Sequence, residues 1–361
     1  MTYLEQVKAA LWGEKAVWPV EQTDRLLALH AQQGTGALVF PAVLTQDDIP
    51  VAAKMQMKAI CMSTMQQHVK LQHTLEQAWR ALTDGGIHAV LMKGAGLAAL
   101  YPEPQMRPWG DIDLFVGKDQ YHPACAVMRN TFPDALKFDE ELDHYKHYNL
   151  IADGISIEVH RVSVGLQHPI DAQRYARMEE QGMSQAEELT INGLTVRVPE
   201  PTFNALFVCM HSWEHMTTRG ANIRQLCDLA LLLHTYAKRI DEAQLKHHLR
   251  ALHLMDVWQV YMWILTERLG LPKNEAFFYT DAVAERASHL LDDLLNNRLC
   301  AANGKCNTSK NRFARKIHTM QERMRNARRI AQYSPAYARH MKAETLLHGA
   351  LRLFAKDRHW E

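Results

Sequence analysis

Two aspartates stand two residues apart in the stretch Gly110-Asp111-Ile112-Asp113-Leu114-Phe115-Val116. On an extended strand alternate side chains share a face, so both carboxylates point one way and Ile112 and Leu114 the other. Neighbouring carboxylates repel, and burying them unpaired is costly. A hard divalent cation resolves the conflict. Mg²⁺ takes oxygen ligands and is usually held by one or two carboxylates together with substrate phosphates. The pattern therefore points to phosphoryl chemistry. Upstream, the apolar run Ile87 to Met92 predicts a buried strand. The turn Lys93-Gly94-Ala95-Gly96 follows, and then a short helical segment, Leu97 to Tyr101, which Pro102, Pro104 and Pro108 keep from continuing. Backbone N–H groups of Gly94, Ala95 and Gly96 can approach a triphosphate, with Lys93 as a point charge beside them.

The order strand, glycine turn, short helix, Asp-x-Asp strand resembles the nucleotidyltransferase superfamily of polymerase-β-like fold. The wording Lys-Gly … Tyr-Pro … Arg-Pro-x-Gly-Asp-Ile-Asp-Leu resembles its uncharacterised nucleotidyltransferase family, most specifically over residues 85–165 and more weakly to 235. The resemblance implies transfer of a nucleoside monophosphate from an NTP, ATP first among them, to an acceptor hydroxyl, with release of pyrophosphate. It implies Mg²⁺ (or Mn²⁺) on Asp111 and Asp113. It also implies a third carboxylate on the strand Ile155-Ser156-Ile157-Glu158-Val159-His160, where Ile-Glu-Val-His matches; Glu158 then serves as general base or third ligand. The usual turn is Gly-Ser or Gly-Gly. Here Ala95 follows Gly94, so no hydroxyl is offered to the phosphates, and Lys93 and Arg107 are left to steady them. His160, His211 and Arg224 are further candidates to line the cleft.

At 361 residues the chain has ample core for one large domain or two. Its net charge of +1 demands no nucleic-acid or membrane partner. The distribution is uneven: residues 301–361 carry ten more basic than acidic side chains. That basic tail, with Arg312, Arg315, Lys316, Arg323, Arg325, Arg328, Arg329 and Arg339, suits either an anionic partner or a solvated helix face. With few interleaved aromatics it does not support base stacking. Six scattered cysteines without a Cys-x-x-Cys fit free thiols in a reducing cytoplasm. No apolar run reaches membrane-span length.

The expected fold is α+β. Residues 1–84 read as helices packing on the core, including a long one from Pro50 to Thr83. Residues 85–200 read as a small mixed-sheet nucleotidyltransferase core, and residues 201–361 as a helical half ending in the basic tail. Asp153-Gly154 and Asn192-Gly193 predict two hairpins. Two other features compete for function. His211-Ser212-Trp213-Glu214-His215 matches the H-x-x-E-H pattern of zinc peptidases, but among 20 histidines such a match arises readily by chance. The alternative from another class is an inert nucleotide-binding or scaffolding descendant of the fold, motivated by the missing turn hydroxyl. Arg224 and Asp228, four apart on a helix, read as a local ion pair.

Overall fold

The computed structural model describes residues 1–138, 142, 144–166, 168–218, 220–296, 298 and 312–354. Cys300, Cys306 and, in the basic tail, residues 301–311 and 355–361 lie outside them. Four helices come first: α1 (Tyr3–Leu11), α2 (Thr23–Gln32), α3 (Gly36–Val43) and the 34-residue α4 (Val51–Asp84). Next come β1 (Val90–Met92), α5 (Gly94–Ala98), β2 (Asp111–Phe115), α6 (Gly117–Thr131), β3 (Leu136–Lys137), β4 (His147–Ala152) and β5 (Ile155–His160). Helix α7 (Pro169–Ser184) leads to the hairpin β6 (Glu187–Ile191) and β7 (Leu194–Val198). The rest is helical: α8 (Pro201–Thr218), α9 (Ile223–Tyr236), α10 (Glu242–Ala251), α11 (Met255–Glu267), α12 (Ala284–Leu295), α13 (Arg312–Ile330) and α14 (Pro335–Phe354). None of the described helices is long and apolar enough to cross a membrane.

The expected α+β architecture is present. Five strands form one mixed sheet in the order β1-β2-β5-β4-β3, and β6-β7 stand apart as a two-stranded sheet. Strands β2 and β5 are parallel; the other pairs are antiparallel. Both turn dipeptides make their hairpins, with Asp153 and Asn192 at positive φ ahead of their glycines. One sheet face is apolar: Ile112, Leu114, Ile157 and Val159 pack with Leu71, Leu75 and Trp79 of α4 and with Tyr121 and Met128 of α6. The opposite face carries the polar alternates of β2 and β5.

Two local readings differ from the structure. The first strand is shorter than the apolar run, beginning at Val90. The sequence reads Gly34 and Gly36 as ending the stripe of Leu26, Leu27 and His30, but Gly36 opens α3, because Ala37, Val39 and Phe40 are buried and leave no one-sided stripe to read. Helix α7 gave no periodic signal either, since its inward positions include Asp171, Glu179 and Gly182. The N-terminal helices also divide. The second half of α4 covers the sheet, whereas α1, α2, α3 and the first half of α4 share a core with α8, α9 and α11. Trp12 donates to the Leu269 carbonyl (2.6 Å), and Gln33 ties α12 to α9 by donating to the Leu294 carbonyl and accepting from the Ile223 N–H.

Candidate active site

Parallel pairing of β2 with β5 sets Asp113 beside Glu158 and Asp111 beside Ser156, so three carboxylates arise from one sheet face. Asp113 is fully buried. Its Oδ1 accepts from Lys93 Nζ (2.9 Å) and His160 Nε2 (3.1 Å), while its Oδ2 is buried with no hydrogen-bond partner. Burial works to raise the Asp113 pKa, but the adjoining Lys93 and the His160 hydrogen bond overcome it and hold the carboxyl well below its ordinary range. Asp111 responds oppositely: the Asp113 charge, then burial, push it up to about 6. Such a split between adjacent carboxylates is the expected response to mutual repulsion. An orphaned buried carboxylate oxygen beside a second carboxylate is a donor set suited to a hard divalent cation.

Glu158 turns toward imidazoles. Its Oε2 lies 3.1 Å from His160 Nε2 and 3.8 Å from His147 Nδ1. His147, Glu158 and His160 bring ligand atoms within 4.8 Å of one another. His160 also donates from Nδ1 to the Val162 carbonyl (3.3 Å). A ring donating from both nitrogens is an imidazolium. Burial opposes that charge, and the hydrogen bonds to Asp113 and Glu158 outweigh it, raising the His160 pKa. His147 was not singled out in the sequence. The signal was there: the Asp153-Gly154 turn fixes the β4–β5 register and puts His147 opposite His160.

The glycine turn is held from beneath. Lys93 has φ 50°, a conformation non-glycine residues rarely adopt, and Gly94 follows at φ 40°. A side chain at Gly94 would meet the Trp109 ring at 3.0 Å. Trp109 in turn donates to His68 Nδ1 (3.1 Å). Lys93 Nζ also reaches His211 Nε2 on α8 (3.5 Å), whose pKa burial drives well below its ordinary value, so the imidazole is a neutral acceptor.

Arg107 is placed otherwise than expected. It is buried, and its Nε and Nη2 donate to Asp228 Oδ1 and Oδ2, each at 2.7 Å. Its Nη1 donates to the Gly94 carbonyl (3.2 Å). Tyr101 adds a third bond to Asp228 (2.7 Å). The guanidinium is thus committed to the protein, where it fastens the glycine turn to α9. Arg224 extends the same cluster, with Nη1 3.7 Å from Asp228 Oδ2. Its side chain is 22% exposed against 3% for Arg107, and its charge acts on Asp111. The expected local pair of Arg224 and Asp228 is therefore the outer part of a network whose strong bond is Arg107–Asp228.

His211 and His215 stack edge to face at 4.5 Å, but neither ligand cluster found among the described residues includes them or Glu214. In the basic tail, Arg323 pairs with Glu344 (2.9 Å) and Arg329 donates to the Thr217 carbonyl (2.6 Å). Those charges serve packing.

Residues 19–270 match a family model described as an uncharacterised nucleotidyltransferase. No curated protein matches the sequence significantly. Among solved structures, a nucleotidyltransferase-like antigenic protein from Paracoccidioides brasiliensis aligns at 15% identity. The alignment spans 59% of this chain and 95% of that one, with a TM-score of 0.37.

Proposed function

The chain belongs to the uncharacterised nucleotidyltransferase family, and we propose that it transfers a nucleoside monophosphate from an NTP, ATP first among the candidates, to an acceptor hydroxyl, releasing pyrophosphate. The observation that carries this reading is the β2–β5 register, which brings Asp111, Asp113 and Glu158 to one face beside the glycine turn.

In this reading Asp111 and Asp113 hold Mg²⁺ (or Mn²⁺), with Glu158 able to join them. A divalent ion held there would supply Lewis-acid neutralisation of phosphate charge. Lys93 and Arg224 are the cations for the β- and γ-phosphates, and N–H groups at the start of α5 add neutral donors. Arg107 acts at one remove, holding the turn that carries Lys93. Glu158, kept ionised by His160, accepts the acceptor's hydroxyl proton. The free, buried thiols of Cys61, Cys125, Cys209 and Cys227 suit the reducing cytoplasm as its location.

One observation favours the inert alternative: the Lys93 ammonium already sits on Asp113, where a cation would bind. A single experiment separates the two. Purified protein is incubated with each labelled NTP, Mg²⁺ and a soluble cell extract as acceptor source, and pyrophosphate and label transfer are followed. Turnover that is lost in Asp111→Ala, with an unchanged circular dichroism spectrum, supports the transferase. NTP binding without turnover by the native protein supports the inert reading.

A further inference from the structure

A second cluster of metal-ligating side chains lies away from the sheet, where α14 meets the start of α7. His168 precedes α7, Asp171 stands in its first turn, and His340 comes from α14. Asp171 is only 6% exposed. Its Oδ2 lies 2.7 Å from His340 Nε2 and 3.4 Å from His168 Nδ1, and the three ligand atoms fall within 4.8 Å of one another. Ligands on a tetrahedral zinc ion, with bonds of about 2.0–2.2 Å, stand roughly 3.3 Å apart. The observed spacing therefore needs little adjustment to enclose an ion.

The surroundings fit the same reading. The other carboxylate oxygen, Oδ1, faces Arg174 Nη1 at 3.4 Å, and that Nη1 also donates to the Ala251 carbonyl (3.0 Å). This outer contact orients Asp171 and leaves Oδ2 turned to the imidazoles, as outer contacts do at metal centres. His253, held at φ 58°, lays its ring on His340 with centroids 3.8 Å apart and so fixes the plane of that ring. The competing use of His168 Nδ1 is as acceptor for the Asp171 N–H, at 3.3 Å. That is a long bond, and a ring nitrogen has one lone pair, so a cation and the amide compete for it.

We propose that His168, Asp171 and His340 form a zinc site that clips α14 to α7, with water in the fourth position. Two imidazoles and a carboxylate are a common zinc donor set. Because residues 171 and 340 are far apart in sequence, the ion would close a long loop and add its binding energy to the folded state.

The test uses untagged full-length protein freed of metal by chelator, then titrated with Zn²⁺ in a calorimeter, with melting temperature as a second readout. One equivalent of tight binding and a raised melting temperature are expected. Both should be lost in His340→Gln and in His168→Asn, whose amide keeps an acceptor for the Asp171 N–H so that the helix start survives. Both should persist in His147→Ala, which disrupts the other cluster. Zinc binding that vanishes in His147→Ala but not in His340→Gln, or no tight binding by the native protein, overturns the proposal.

Discussion

Lys93 joins the glycine turn to the carboxylates of the sheet. Its ammonium neutralises Asp113, and its backbone sits at φ 50°, a strain of about 1–3 kcal/mol that the surrounding packing must sustain. Observed strain at a charged residue beside three carboxylates is a sign of function. The two arginines near it have different tasks, and their exposures say which is which. Arg224→Gln should leave the melting temperature nearly unchanged and raise the KM for the NTP about ten- to a hundredfold, the effect of one lost charge-assisted hydrogen bond. Arg107→Gln should instead lower stability by about 3–5 kcal/mol, because it leaves Asp228 buried without its cation. Steady-state kinetics and thermal melts on both variants check the assignment. Arginine type alone could not separate them in the sequence. What separates them is the distance to Asp228, which lies 121 residues beyond Arg107.

At the scale of elements, α7 and α8 approach so closely that a side chain at Gly182 would lie 2.3 Å from Phe203 Cβ and Cγ. Alanine there gains about 0.5–1 kcal/mol of helix propensity. Forcing the helices apart costs about 1–3 kcal/mol and wins. Gly182→Ala should therefore lower stability by about 1–2 kcal/mol, read from urea unfolding; a variant more stable than the native protein would show that α7 shifts freely. Legibility in the sequence follows the same physics. The hairpins were readable because Asp153-Gly154 and Asn192-Gly193 encode their turns locally. Long α4 was readable because a surface helix keeps a one-sided stripe. Helix α3 is apolar on nearly every side, and α7 presents Asp171, Glu179 and Gly182 inward, so neither carried a period. For the candidate site, Asp111 and Asp113 declare themselves by alternation on one strand. His147 enters only through cross-strand register, and Asp228 only through tertiary packing.

Across the whole molecule, the N-terminal helices that share a core with the helical half are tied to one another by a polar chain inside that core. Tyr3 meets Thr35 (3.0 Å), Thr35 donates to His30 Nδ1 (2.9 Å), His30 Nε2 donates to Gln6 Oε1 (3.0 Å), and Gln6 donates to the Val17 carbonyl (2.9 Å). The chain is satisfied with His30 neutral, and burial pushes its pKa down to about 3. The unfolded chain takes up this proton near pH 6.5 and the folded one does not. Stability from this group is therefore complete above about pH 6.5 and falls, by up to about 1.4 kcal/mol per pH unit, as the pH drops toward 3. His30→Gln should destabilise the protein at pH 7 and should narrow the gap to the native protein as pH falls. Chemical denaturation at pH 7 and pH 5 measures it; a gap independent of pH would show that folding leaves the His30 pKa unshifted.

The Arg107–Asp228 bond also has a meaning in time. Synthesis delivers the last of the three carboxylates with Glu158, yet the acid that fixes the glycine turn arrives about 70 residues later, roughly 4–14 s at ribosomal speed. During that interval Lys93 can pair with Asp113 and Trp109 can pack beneath Gly94, but the turn lacks its tie to α9. The complete geometry of the candidate site therefore waits until α9 has emerged and docked.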